Sequence, residues 1–221
     1  LNRVPLAERL RPRSLEELVG QEHLTGEGSI LRTAITQGKL PSLILWGPPG
    51  VGKTTIANII SQSLHLPFFT LSAISSGVKD IREVIAEASQ SSGAILFIDE
   101  IHRFNKGQQD ALLGAVEKGI VTLIGATTEN PSFEVNSALL SRCQVYVLKA
   151  LSHEELIQLL HQALTKDKEL SDKKITLKES ESIIRLSGGD ARKILNLLEL
   201  VCDHLPQGGV ITDELVMKVA Q

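Results

Sequence analysis

Residues 47–54 read Gly47-Pro48-Pro49-Gly50-Val51-Gly52-Lys53-Thr54, a set of residue types whose spacing suits the cradling of phosphate. Glycines let the backbone curl until successive N–H groups face one concavity, and the lysine and hydroxyl at its end add a cation and a metal ligand. A branched apolar run, Leu43-Ile44-Leu45-Trp46, precedes the loop, and an amphipathic stretch over 54–65 follows it. That setting matters because a helix N-terminus adds partial positive charge toward a bound anion. Lys53 is expected to reach the β- and γ-phosphates of a nucleotide. The Thr54 hydroxyl is expected to ligate magnesium, with Thr55 continuing the helix beneath the phosphates.

A second group of chemistry-bearing residues closes the run Ile95-Leu96-Phe97-Ile98-Asp99-Glu100. Asp99, at a strand tip facing the phosphate loop, suits a magnesium contact through water. Glu100 is placed to orient and deprotonate an attacking water, which favours hydrolysis over simple binding. Successive strand residues point to opposite faces, so both acids reach one site only where the strand ends.

The elements that must hold these groups follow from periodicity. Short apolar runs at 43–46, 68–71, 94–98, 121–124 and 145–148 read as strands buried on both faces. Amphipathic stretches near 54–65, 79–91, 107–118 and 136–142 alternate with them, which predicts an α/β domain with a parallel sheet over 1–150. In chain order the run at 68–71 falls between the phosphate-loop strand and the acidic strand, which suits an ATPase class with one inserted strand. From Ser152 the pattern is helical only, near 152–165, 177–187, 190–203 and 212–220, so 151–221 reads as a small all-helical domain. In the third of these, Ala191, Ile194, Leu195, Leu198 and Val201 share a face, with Asp190 as the cap. The charged segment Lys166–Lys174 reads as a loop.

Composition bounds the partners. The 221 residues carry 42% hydrophobic and 22% charged side chains and a net charge of -3, so overall charge announces no nucleic-acid partner. Cys143 and Cys202 have no ligand spacing and read as two reduced thiols. No apolar run approaches the ~20 residues that span a bilayer, and the start, Leu1-Asn2-Arg3-Val4-Pro5, shows no apolar signal core. These features predict a cytoplasmic protein with no membrane partner.

Further segments narrow the type. Leu10-Arg11-Pro12, Val19-Gly20-Gln21, Gly125-Ala126-Thr127-Thr128-Glu129-Asn130-Pro131, Ser141-Arg142-Cys143 and Gly188-Gly189-Asp190-Ala191-Arg192 together resemble the AAA+ superfamily, in its clamp-loader-like branch. Ser72-Ala73 with Ser76-Gly77-Val78-Lys79-Asp80-Ile81-Arg82, Asp99-Glu100-Ile101-His102-Arg103-Phe104-Asn105-Lys106 and Ala126–Phe133 look like the replication-associated recombination protein A family, whose eukaryotic relative is the Werner helicase-interacting protein. The resemblance covers nearly the whole chain.

The resemblance implies a P-loop ATPase that hydrolyses ATP to ADP and phosphate with magnesium. Thr128 would be the γ-phosphate sensor of the core, with Asn130 the alternative. Arg142 would be an arginine finger serving the nucleotide of a neighbouring subunit. Arg192 would be the lid's sensor, and Arg11, Pro12, Val19 and Gly20 would line the adenine pocket. It also implies work at stalled replication forks in DNA repair and recombination, a homo-oligomer, nucleoid association, and contacts with DNA ends or junctions and with single-stranded DNA-binding protein. Members of the family continue into a C-terminal helical oligomerisation domain, so the resemblance makes this chain an ATPase core without it.

Two other functions stand beside that one. From the residues, His102-Arg103-Phe104-Asn105-Lys106 could hold backbone phosphates with a stacking aromatic. A protein-remodelling ATPase is disfavoured because Ser72-Ala73-Ile74-Ser75-Ser76-Gly77 has no aromatic grip. A nucleotide-gated binding module with negligible turnover is disfavoured by Glu100 and Arg142.

Overall fold

In the computed structural model, which describes residues 3–221, five apolar runs pair as one sheet. Leu1 and Asn2, the first residues of the start read above, lie outside the described residues. The strands are β1 (Leu43–Trp46), β2 (Phe68–Ser72), β3 (Ile95–Asp99), β4 (Thr122–Thr127) and β5 (Gln144–Val147). Their spatial order is β2-β3-β4-β1-β5, and every pairing is parallel. Parallel strands all end at one edge, so the loop after β1, the acids ending β3 and the threonines ending β4 emerge side by side. The register places Trp46 opposite Thr127 and Ser72 opposite Asp99.

The strand standing between β1 and β3 in space is β4, whereas β2, which separates them in chain order, lies at the far edge. The expectation of strands buried on both faces holds for β1, β3 and β4, whose interiors are shielded. It fails for β2, whose positions are half-buried or exposed, and for β5, which buries only Tyr146, because nothing pairs beyond these edge strands and one face stays open.

Helices α1 (Leu6–Arg9), α2 (Glu22–Thr25) and α3 (Ile30–Gln37) precede the sheet. Its strands are linked by α4 (Lys53–Leu64), α5 (Val78–Ala88), α6 (Lys106–Glu117), α7 (Pro131–Glu134) and α8 (Ser137–Leu140). The C-terminal part holds α9 (His153–Lys166), α10 (Lys168–Lys173), α11 (Glu181–Ser187), α12 (Ala191–Asp203) and α13 (Asp213–Val219). Local chemistry starts several of them. Asn105 with Gln108, and Ser152 with Glu155, form reciprocal caps that satisfy otherwise free amides at the N-termini of α6 and α9. Asp190 accepts from the Lys193 amide at 3.1 Å and so begins α12.

Two expectations for this C-terminal part change. Lys166–Lys174 is not a loop: Asp167 accepts from the Leu170 amide at 3.3 Å and starts α10, which buries one leucine. One apolar residue in a charged hexamer leaves no period to read. The part is also not wholly helical, because β6 (Thr176–Leu177) pairs with β7 (Val210–Ile211) in a two-residue parallel ladder. Such a pair is too short to show alternation and forms only through partners far apart in sequence.

The apolar residues divide over the two faces of the sheet. Ile44, Ile81, Leu96, Ile98, Leu112 and Leu123 pack on one side. Leu43, Leu45, Ile56 and Ile124 face the other, where they are continuous with Leu6, Leu160 and Ile194 of the terminal helices. Each fully buried leucine or isoleucine contributes about 1.5–3 kcal/mol, so sheet and lid share one stabilising core. The N-terminal helix is fastened to the lid by charge as well. Arg9 Nε lies 2.9 Å from Asp167 Oδ1 and Arg9 Nη1 lies 3.0 Å from Glu199 Oε2, with Asp167 only 6% exposed. Among the described residues no helix is long and apolar enough to cross a membrane.

Candidate functional site

A cleft of about 620 Å³ opens over the C-terminal edge of the sheet. Its floor comes from three segments: Pro49–Thr55, Asp99 with Glu100, and Thr127 with Thr128. Its wall comes from residues Ala7–Arg13, Glu17–Val19 and the inner faces of α9 and α12. The volume falls within the range of small-molecule sites, and both polar and apolar side chains line it.

The phosphate loop takes its shape from backbone conformation. Gly50 sits at φ +73° and faces the lid, where an added Cβ would lie 2.2 Å from the Asp190 carboxylate. The Gly50 carbonyl also accepts from the Ala191 amide at 2.9 Å. Only a residue without a side chain permits both the turn and that approach. Lys53 folds over the loop and donates to the Gly47 carbonyl and, at 2.7 Å, to the Pro48 carbonyl. Burial pushes its ammonium pKa down from the usual lysine value, while Asp99 and Asp190 oppose that shift.

The paired acids meet in the cleft because β3 stops between them. Asp99 is its last residue, and Glu100 turns to φ +53°, a left-handed conformation that breaks the alternation of side chains. Asp99 Oδ1 accepts from the Glu100 amide at 2.9 Å, and Glu100 Oε2 lies 3.1 Å from Arg103 Nε. Hard oxygen donors from one carboxylate and the Thr54 hydroxyl fit magnesium, which keeps water and phosphate oxygens in its shell rather than entering an all-protein cage.

Beside the acids, Thr127 ends β4 at 1% exposure, and its hydroxyl lies 2.9 Å from His102 Nδ1 and 3.0 Å from the Glu129 amide. Thr128, one residue on, is exposed in the cleft lining. Asn130 lies outside the lining and spends its side chain on the Ser132 amide at 3.0 Å, capping α7. That favours Thr128 over Asn130 as the polar contact for a γ-phosphate.

The remaining expected residues separate into two sets. Arg192, Arg11, Pro12 and Val19 line the cleft with Val51, Gly52, Lys53, Thr54 and Thr55. Gly20 and Gly47 do not; Gly47 is buried behind the loop, and Pro48 borders a neighbouring recess with Ser187 and Gly188. Arg142 stands apart from the cleft. It is exposed after α8, its Nε 2.9 Å from Glu117 Oε1 and its Nη1 donating to the Ala138 carbonyl at 2.8 Å. Phe104 is 3% exposed and packs in the core, so it is not available to stack on a base as the loop His102–Lys106 suggested. One aromatic inside a polar loop gives no sign of which way it points.

The cleft also includes residues that no motif announces. Leu159, Gln162, Ala163 and Lys166 project from one face of α9, at helical spacing that the sequence shows but whose partner it does not. The two thiols take no part. Burial pushes Cys143 up to about 11 and Cys202 up to about 12, which keeps both protonated.

The family model for the ATPase family associated with various cellular activities (AAA) matches residues 43–151. Replication-associated recombination protein A of Coxiella burnetii is 51% identical to this chain, covering 98% of it and 51% of the relative. The protein of the same name from Escherichia coli K12 is 48% identical, again covering 98% of this chain and 51% of its own length. The chain thus spans about half the length of the curated relatives it matches. Among solved structures, the Thermotoga maritima RuvB Holliday junction branch migration motor is similar at a TM-score of 0.77 and 30% identity, over 95% of this chain and 72% of that one. Likeness on this scale, running through sheet, cleft and lid alike, makes the chain a member of the AAA ATPases, in the family of replication-associated recombination protein A.

Proposed function

We propose that this chain is the ATPase core of a DNA-dependent motor or switch acting in replication-fork maintenance, recombination and repair. The observation that supports it most is the meeting of Lys53, Thr54, Asp99, Glu100, Thr128 and Arg192, from separate segments, around one cleft of about 620 Å³. Residues 1–150 serve as the nucleotide-binding core and 151–221 as its lid.

In this reading the amides of the phosphate loop and Lys53 hold the β- and γ-phosphates of ATP, and the wall at Arg11, Pro12 and Val19 takes the adenine. Thr54 and Asp99 hold magnesium, which neutralises charge on the phosphate oxygens. Glu100 accepts the proton of the attacking water, and its ion pair with Arg103 must loosen for it to do so. Thr128 orients the γ-phosphate, and Arg192 contacts the nucleotide from the lid. Arg142, outside the cleft of its own chain, serves the nucleotide of a neighbouring copy in a homo-oligomer, stabilising charge as the phosphoryl group departs. ADP and phosphate are the products.

DNA ends or junctions and single-stranded DNA-binding protein are the proposed partners, in the cytoplasm at the nucleoid. The relatives' names support this role, and the exposed Arg103 and Lys106 beside Glu100 offer phosphate contacts close to the chemistry. ATP turnover of the full-length protein, measured alone and with duplex ends or single-stranded gaps, tests it. Stimulation by a DNA end is expected; turnover indifferent to every DNA would move the reading to a protein-remodelling ATPase.

A further inference from the structure

Gln21 ties together three parts of the molecule. It is 5% exposed, and its backbone lies at φ +62°, a conformation that a residue with a side chain holds only where its surroundings impose it. Its amide forms a two-way pair with the backbone of Lys149: Nε2 donates to the Lys149 carbonyl at 2.7 Å, and the Lys149 amide donates to Oε1 at 2.9 Å. The same Nε2 lies 3.5 Å from the carbonyl of Val51, inside the phosphate loop. Lys149 belongs to the short connection between β5 and α9, which carries the chain from the sheet to the lid.

The flanking residues reinforce the junction. Val19 lines the cleft. Gly20, at φ +81°, packs so closely on the lid that an added Cβ would come within 2.7 Å of Leu151 and 3.0 Å of the Glu155 carboxylate. A glutamine amide carries donor and acceptor in one plane, so it pairs with a peptide group as another peptide group would. Shielded from water, it has no ready replacement for these bonds, and whatever moves the loop carbonyl must disturb the pair at Lys149.

We propose that Gln21 is a positioning residue that couples occupancy of the phosphate loop to the angle of the lid. Phosphate entering the loop shifts Val51 against the Gln21 amide, and the paired bonds pass that shift to Lys149 and so to α9. The proposal rests on the reading of the cleft as a nucleotide site.

Trp46, the sole tryptophan, ends β1 beside the loop, so its fluorescence reports binding, while amide hydrogen exchange at 149–152 reports the hinge. In the unsubstituted chain a non-hydrolysable ATP analogue with magnesium should change both. Gln21→Ala should still bind, about tenfold more weakly, but lose nucleotide-dependent protection at 149–152. Gln21→Glu keeps the acceptor and removes the donor at the same size, and should show the same uncoupling even if the alanine variant does not fold. A Gln21→Glu protein that melts lower yet retains wild-type affinity and hinge protection overturns the proposal, as does an unsubstituted chain without a nucleotide response at 149–152. Lys53→Ala separates the two readings: unchanged binding there removes the nucleotide site itself, whereas lost binding with an indifferent Gln21 removes only the coupling.

Discussion

The floor and the wall of the cleft are built on different principles. The floor is a set of strand ends, Trp46 with its loop, Asp99 and Thr127, held in register by parallel pairing and backed by buried strands. The wall is gathered from the N-terminal segment and two lid helices, joined by the Arg9–Asp167–Glu199 ion pairs, the Gly50–Ala191 hydrogen bond and the Gln21–Lys149 pair. A floor of that kind is rigid before any ligand arrives. The wall shares the apolar core of the sheet but comes from separate helices tied at their margins by these polar links, so it is the part able to change angle, which is what a cycle of binding and release requires. Chemistry is therefore expected from the floor, and timing and affinity from the wall.

Removing the floor's cation should have the largest effect. Lys53→Ala should weaken binding of a fluorescent ATP analogue by about a hundredfold or more, since a charge-assisted contact to phosphate is lost from a half-buried site. Retained micromolar affinity would break the assignment of the floor. Glu100→Gln should bind the analogue normally while turnover in the full-length protein falls about 10²–10⁴-fold, the usual worth of a positioned base. Normal hydrolysis would take Glu100 out of that role.

Wall variants should act more gently. Arg192→Ala is expected to weaken nucleotide binding about tenfold without unfolding the chain, measured by titration of Trp46 fluorescence. Asp167→Asn should cost about 2 kcal/mol of stability in denaturant melts, because it breaks the pair with Arg9 at a largely buried position. The pH dependence has a definite sign. Arg9 holds the Asp167 carboxyl below the usual carboxylate range, so its contribution is complete above the unfolded value near pH 4 and is lost as pH falls through the lower folded value. The wild-type advantage over Asp167→Asn should therefore shrink on acidification in that window.

Arg142→Ala should be the mildest change in this chain, shifting nucleotide affinity by less than about twofold because an exposed ion pair contributes little. In an assembled full-length protein the same change should lower turnover. An equal loss in isolated monomers would show that Arg142 acts within its own subunit or through structure alone.

Much of the floor was legible before folding was considered. The loop 47–54 and the acids 99–100 are contiguous motifs, and each sits at the end of an apolar run whose length and composition mark a strand. The helix at 191–203 was equally plain, since four of the five expected apolar positions, Ile194, Leu195, Leu198 and Val201, are buried and Ala191 is half-buried. Less was visible at Lys168–Lys173, where capping by Asp167 rather than amphipathicity starts the helix, and at Thr176–Leu177, whose strand exists only through pairing with Val210–Ile211.

The sequence by itself determined the phosphate loop, the acids and the alternation of elements, because each is written in neighbouring residues or in a local period. Only the tertiary structure decided that β4 stands between β1 and β3, that Glu100 turns left-handed into the cleft, that Asn130 is spent on a cap, and that Arg142 lies outside. It alone joined Gln21 to Lys149, 128 residues away. Contacts at such separation follow from packing and register, and no spacing along the chain encodes which distant backbone group a buried amide will meet.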